Sequence, residues 1–481
     1  MKNILLLFSA LLLISSGATA QSGITWSMAM DVASSSSGNM HPRVVVDAAG
    51  DPMLVWGHAA RAMFSRWNGT GFTMPLMLNT PEIGIASASW MGPDIASKGD
   101  TVYVVMKRVP EASDTCHIYI VHSFDGGITF TLPVQVDFIA DSISRFPTVT
   151  VDETGNPIVG FMKFDPSFGD ARWVVTKSSD FGNTFTTDVK ASGWSGAGAL
   201  VCDCCPGSIT SSGNSVTMLY RDNLNNIRDS WTGLSSDGGA SFSSGWNIDL
   251  NNWNLFACQA TGPDGVIIGD SLYSVFMNGA SGMGRVYRGA SSISSMMSQQ
   301  SQPVTATIPG LSIQNYPRID KFGNSTAIVW TQNVNGADQL PVLFTNNINN
   351  GFPSAYDTVD LGDVINADVA LSNGNMYVVW EDDNTGTVRY RKGTFIPAVT
   401  SVNESQTTHL SVFPNPSTDL IKIGSYQVKQ NDQVELQNVF GEKINVRATQ
   451  NVIDISKMQN GIYFLRIISG NQIFVSKFIK Q

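Results

Sequence analysis

Between residues 41 and 396, apolar and polar side chains alternate in short runs, and the runs come in pairs. The first run of each pair opens after a proline with a period of two. A glycine-containing turn follows, and the second run is strongly apolar and often ends in an aromatic residue. "HPRVVVDAAGDPMLVWG" from His41, "FPTVTVDETGNPIVGFMKF" from Phe146 and "YPRIDKFGNSTAIVWTQ" from Tyr316 are three instances. Period-two strands joined by a glycine turn predict a β-hairpin. Seven copies occur: six lead with a proline (Pro42, Pro93, Pro147, Pro206, Pro263, Pro317), and the seventh has Asn366 in that place. Successive copies stand 49 to 59 residues apart.

A second motif lies between the hairpins: "SFDGGITF" at 123–130, "SSDFGNTF" at 178–185 and "SSDGGASF" at 235–242. Asp125, Asp180 and Asp237 are expected to accept backbone N–H bonds across a tight turn. Gly127, Gly182 and Gly239 are expected to take positive φ. Phe130, Phe185 and Phe242 should tuck under the turn and pin the outer strands. "SRWNGTGF" (65–72) and "TNNINNGF" (345–352) keep the final Phe but lack the Asp. Two hairpins per unit make a four-stranded blade, so units of about 50 residues predict an all-β propeller. Seven blades are favoured, with six if one copy is a false match. "GITWSMAMDV" (23–32) has the form of the tail of such a motif and is expected to close the last blade.

The two ends of the chain differ from this middle. Lys2, the apolar run "ILLLFSALLLI" and Ala18-Thr19-Ala20 read as a secretory signal peptide over 1–20. The run is too short to span a membrane, and no later stretch is long and apolar enough. The first residue after the cut would be Gln21, not the cysteine of a lipoprotein. The predicted organisation is therefore a signal peptide (1–20), a propeller (21–396), a linker (397–408) and a C-terminal module (409–481). Net charge is −10 with only 14% charged residues, which argues against a nucleic-acid partner. No cofactor is implied.

The C-terminal module carries Phe413-Pro414-Asn415-Pro416, then Val439-Phe440-Gly441, Asn460-Gly461-Ile462-Tyr463 and a terminal segment with Lys477 and Lys480. This order of motifs closely resembles the C-terminal sorting domain of the type IX secretion system of Bacteroidota. The resemblance implies an Ig-like β-sandwich recognised by the outer-membrane translocon, usually removed on export. The cargo is then released or attached to surface lipopolysaccharide. The Ser-x-Asp-x-Gly-x-Ser/Thr-Phe motif is similar to the Asp-box, and with the blade repeat it resembles the sialidase (BNR-repeat) superfamily. That family uses an arginine triad, a Tyr nucleophile with a Glu partner and an Asp acid/base, often with Arg-x-Pro at the first inner strand. Here the first-blade triplet is Met40-His41-Pro42, and an Arg-x-Pro occurs instead as Arg145-Phe146-Pro147. Arg221 and Arg318 stand at unmatched positions, and no Tyr/Glu pair can be placed. The preferred expectation is a propeller that binds a glycan or another extracellular ligand. The alternatives are a sialidase-type exo-glycosidase and a thiolate metal-binding propeller.

In a propeller, the residues before each inner strand surround the central funnel, where ligands bind. His41, Arg145 and Tyr316 are the candidate funnel ligands. Cys204-Cys205 precede Pro206 in the same column, and Cys258 stands five residues before Pro263, one repeat on. "CDCCP" followed by this cysteine also resembles an exported sialidase-like group. In an oxidising compartment, a disulfide from Cys258 to Cys202, Cys204 or Cys205 is the first reading. A second bridge through Cys116 or within the triplet is open, and five cysteines leave one unpaired. The competing readings are a soft-metal site for Cu(I) or Zn, with His41 or Met91 nearby, a redox C-x-x-C, and a buried unpaired role. The redox reading lacks the helix N-terminus that usually lowers a thiol pKa. His58, His117 and His122 read as packed or exposed, and Trp56, Trp330 and Trp380 as blade core.

Overall fold

The computed structural model describes residues 23–32, 38–112, 116–137, 142–397, 407–424, 426–429, 432–439, 442–446, 448–469 and 472–481. The segment expected to be a signal peptide, most of the expected linker, and Phe440 and Gly441 lie outside the described residues. The chain divides into two compact units, with the division between residues 398 and 399.

The first unit is a propeller of seven antiparallel sheets, blades 1 to 7 in chain order. Their innermost long strands are Asn39–Val46, Asp94–Lys98, Ile143–Val151, Ser208–Ser212, Asp264–Ile268, Leu311–Phe322 and Val364–Ser372. Each packs beside the next, and the last packs beside the first, which closes the ring. The six-blade alternative is not realised. Thr25–Trp26 pair with Gly393 and Thr394, and Met30–Asp31 with Arg389 and Tyr390, so the outer edge of blade 7 comes from the start of the described chain. Residues on both faces of each blade are apolar, because each blade is covered by a neighbour on either side. Trp56, Trp330 and Trp380 are fully buried in this inter-blade core. The indole N–H groups of Trp56 and Trp330 donate to Asn39 Oδ1 (2.8 Å) and Gln332 Oε1 (3.0 Å).

The outer turns show why their sequence recurs. Asp125 Oδ1 accepts from the N–H groups of Ile128 and Thr129 at 3.0 and 2.9 Å, and its Oδ2 from the Thr129 hydroxyl. Asp180 and Asp237 bond Thr184 and Ser241 in the same way. Gly127, Gly182 and Gly239 hold φ of 78°, 87° and 85°. Gly127 also faces the preceding blade: a Cβ there would lie 2.4 Å from the Phe64 ring. Phe130 stacks edge-on with Phe64 of blade 1 at 4.9 Å, so the final aromatic joins blades as well as its own hairpin. Where the Asp is missing, asparagine closes the turn. Asn68 Oδ1 accepts from the N–H groups of Thr70 and Gly71, and Asn347 Oδ1 from that of Asn349.

Hydrogen bonds from the backbone and hydroxyl of Thr129, from Thr184 and from Ser241 hold the three aspartates down at about 2. A carboxylate whose folded pKa is depressed contributes stability above its unfolded pKa, and loses it as pH falls through the folded value. The propeller should therefore weaken between about pH 4 and pH 2. The triple variant Asp125→Asn, Asp180→Asn, Asp237→Asn should start weaker at neutral pH and change less across that window. Urea midpoints at about pH 6, 4 and 2.5 read the difference, and parallel pH profiles would refute it.

The second unit is a two-sheet sandwich. One sheet holds Thr407–His409, Gln472–Lys480, Gly461–Ser469, Gln433–Asn438 and Lys443–Asn445. The other holds Val412–Phe413, Leu420–Ile423 and Val452–Asp454. Ile421, Ile453, Leu436, Leu465 and Phe478 are fully buried between them. The Phe-Pro-Asn-Pro motif ties its segment to the final strand. Asn415 Nδ2 donates to Lys477 O, and its Oδ1 accepts from the Ile479 N–H at 2.9 Å. Among the described residues, no helix is long and apolar enough to cross a membrane.

Candidate functional site at the mouth of the propeller

The starts of the inner strands line an open cavity of about 60 Å3 at the channel mouth. The residue one place before the proline lines it in five blades, as His41, Gly92, Phe146, Gly262 and Tyr316. In blade 7 the bulge puts Asn366 in that same place and Ala367, not Asn366 as the sequence pattern suggested, in the proline column. Four of these residues share a backbone device. His41, Phe146, Tyr316 and Asn366 have φ of 56°, 51°, 48° and 47°. The strand register shifts across each of them. Such a bulge bends the strand and re-aims one side chain, here into the channel mouth. Gly262 stands at a pinch, where a Cβ would lie 1.8 Å from Pro206 O, so only glycine fits. Trp90, 44% exposed, stands at the rim.

Of the three candidate ligands, His41 and Tyr316 line the cavity, whereas Arg145 is not among the lining residues. Arg145 stands two places before its proline, so the bulge turns Phe146 inward. The guanidinium instead pairs with Glu111, its Nη2 2.6 Å from Oε2, and lies against the rings of Phe164 and Phe168. Burial pushes the Glu111 carboxyl up, but hydrogen bonds from Arg145 and Lys107 outweigh it and hold it at about 2.

The next position along each inner strand, immediately after the proline column, forms a polar ring that the sequence pattern did not reveal. It runs Arg43, Asp94, Thr148, Gly207, Asp264, Arg318, Asp368 around the channel. Its members bond from blade to blade. Asp368 Oδ2 accepts from the Val44 N–H (3.0 Å), Asp94 Oδ2 from Val149 (3.1 Å), Thr148 Oγ1 from Ile209 (3.3 Å) and Asp264 Oδ2 from Ile319 (3.0 Å). Arg318 Nε lies 3.0 Å from Asp368 Oδ1 and 3.4 Å from Asp264 Oδ2. Aligning the column one residue beyond the proline would have exposed this ring.

Arg43 has a different partner. Its Nη1 donates to Pro42 O and its Nη2 to His41 Nε2, both at 2.8 Å. Burial, then the charge of Arg318, lowers the guanidinium to about 10, so it stays charged at neutral pH. Burial and then Arg43 push His41 well below its ordinary value. A neutral imidazole accepting at Nε2 carries its proton on Nδ1, which faces Ser89 O at 3.3 Å. Glu381 accepts from the His41 N–H and from Asn366 Nδ2, each at 3.1 Å. Burial and then the Glu381 charge raise the Tyr316 phenol.

Among the described residues there is one disulfide, Cys204–Cys258, with 6.3 Å between the Cα atoms. It joins the approach to blade 4 with the approach to blade 5. Cys202, Cys205 and Cys116 carry free thiols and are buried, so Cys116 supplies no second bridge; its Sγ faces Ser144 O at 3.2 Å. Cys205 precedes its proline but is buried, and Pro206 and Gly207 line the cavity instead. The sulfurs of Cys202, Cys204 and Cys205 lie within 4.8 Å of one another. A metal at this triplet would have two thiolates to bind, since the third sulfur is held in the bridge.

No curated protein matches the chain in sequence. Among solved structures, a polysaccharide lyase of family PL25, an ulvan lyase, is similar at a TM-score of 0.50 and 10% identity, covering 75% of this chain and 94% of its own. A protein of unknown function from Dyadobacter fermentans has a TM-score of 0.46 at 12% identity, covering 65% and 95%. The NanB sialidase of Streptococcus pneumoniae, as its K499G mutant, has 0.45 at 9%, covering 72% and 83%. At 10% identity, the likeness to the ulvan lyase speaks to the fold alone. Residues 411–481 match the family model for the secretion system C-terminal sorting domain. The chain thus carries a C-terminal sorting domain of the type IX secretion system behind a seven-bladed β-propeller, and is exported to the cell surface or the extracellular space.

Proposed function

We propose that the mouth of the propeller binds a glycan or another extracellular ligand without turning it over. The observation that carries this reading is the convergence of six strand starts on one cavity, with Trp90 at its rim and Tyr316 in its wall. Aromatic faces beside a few fixed polar groups suit the apolar faces and hydroxyls of a sugar. Arg145, the arginine of the Arg-x-Pro motif, pairs with Glu111 and is not among the residues that line the cavity, so it is not placed to clamp a substrate carboxylate there. Binding is therefore better supported than a sialidase reaction. Titration of the exported protein with a panel of neutral and acidic oligosaccharides tests the reading. At least one should bind, and Trp90→Ala should weaken it about tenfold or more. Absence of binding across the panel, or an unchanged affinity in Trp90→Ala, would overturn it. Turnover of a fluorogenic sialoside that Tyr316→Phe abolishes would establish the exo-glycosidase instead.

A further inference from the structure

The cysteine triplet is more than an anchor for one bridge. Cys202 Sγ lies 2.9 Å from Cys205 Sγ and 3.7 Å from Cys204 Sγ, the bridged sulfur. Arg228 Nη1 donates to Cys202 Sγ at 3.0 Å, and is itself held by Nε donating to Leu255 O at 2.9 Å. Arg221 is fully buried nearby and directs its donors at three carbonyls, those of Thr261, Arg228 and Met277. Two guanidinium groups beside one sulfur favour the thiolate, the role that a helix N-terminus has elsewhere. The hydrogen bond from Cys205, opposed by burial and helped by the two arginines, brings the Cys202 thiol down to about 6. Burial keeps Cys205 protonated, so its S–H is the donor to Cys202. On the far side of the bridge, Cys258 is exposed.

We propose that Cys202 is the nucleophile of a thiol–disulfide exchange site, attacking Cys204 Sγ and releasing Cys258 as a surface thiol. The Cys202–Cys204 bond forms as the Cys204–Cys258 bond breaks. The electron pair leaves on Cys258 Sγ, which takes a proton from water, so the step needs no outside oxidant or reductant. Attack through a thiolate on a disulfide sulfur is the general route of such exchange. The new bridge spans a single intervening residue, so the original bond dominates at rest and the exchanged form is a minor state. The strand-approach segment that carries Cys258 also carries Ala260, Thr261 and Gly262 of the cavity wall, so exchange unhooks that wall from blade 4. An extracellular thiol or disulfide of small size would enter at Cys258.

The native exported protein, with no reductant, is incubated with a polyethylene-glycol maleimide, quenched in acid and mapped by mass spectrometry. The expected product is label on Cys258 together with a Cys202–Cys204 bridge. Labelling should rise with pH from about 5 to about 7 as the thiolate forms. Arg228→Gln should slow it about tenfold at about pH 6, since a charged hydrogen bond to the thiolate is lost. Cys202→Ser should abolish it while leaving Cys204–Cys258 intact. An unlabelled Cys258 in the native protein, equal labelling in Cys202→Ser, or recovery of Cys202–Cys205 as a bridge would each overturn the proposal.

Discussion

Replacing Arg318 by methionine will lower the stability of the propeller by about 3 kcal/mol, because it strands two largely buried carboxylates. Among the described residues, Arg318 is the guanidinium that pairs with both Asp264 and Asp368. Each of those aspartates also holds a backbone N–H of the next blade, at Ile319 and at Val44. The substitution therefore weakens the seams between blades 5 and 6 and between blades 7 and 1 together. Adding Asp264→Asn and Asp368→Asn to the methionine variant should recover part of the loss, since amide oxygens still accept from the backbone and carry no charge to desolvate. Urea denaturation of the three proteins reads the effect. A loss below about 1 kcal/mol in Arg318→Met would mean that the carboxylates do not depend on this partner.

Cys204→Ser will lower stability by a similar amount, through the unfolded chain. The bridge closes a loop of 54 residues, and the chain-entropy relation gives about 4 kcal/mol for that length at 25 °C. At about 2 cal/mol/K of unfolding entropy per residue, this lowers the melting temperature of a propeller of this size by roughly 5 °C. Cys116→Ala removes a buried thiol outside the bridge and should cost only about 1 kcal/mol. Scanning calorimetry under non-reducing conditions separates the two. Equal shifts would mean that loss of packing, and not the cross-link, sets the cost.

The blade count was legible because one proline column recurs at nearly even spacing, and no other architecture repeats a hairpin pair that way. The choice of cavity residues was half legible. His41 and Tyr316 fall one place before the proline, where the bulge points a side chain into the channel. Arg145 falls two places before it, and the same bulge carries Phe146 inward in its stead. Reading Arg-x-Pro as a motif hid that one-residue register. The polar ring behind the cavity was hidden for a related reason: Arg43, Asp94 and Arg318 look like ordinary strand residues until seven blades are laid side by side. Three cysteines within four positions are equivalent along a chain, and only side-chain direction selects Cys204 as the partner of Cys258. The charge that stabilises Cys202 comes from Arg228, 26 residues away in a loop, where no local pattern announces it.

Blade 7 joins residues from the two ends of the propeller in a single sheet, Thr25 opposite Thr394. For a protein working outside the cell, this sets where damage matters. A cut in an outer turn leaves the severed strands still paired with their blade, and the circle holds. Trimming a few residues past Trp26 instead strips the edge from the last blade and exposes a bare strand, Thr387–Thr394, to solvent and to other chains. The durability of the propeller among extracellular proteases therefore rests on two short strands, Thr25–Trp26 and Met30–Asp31, more than on any of its loops.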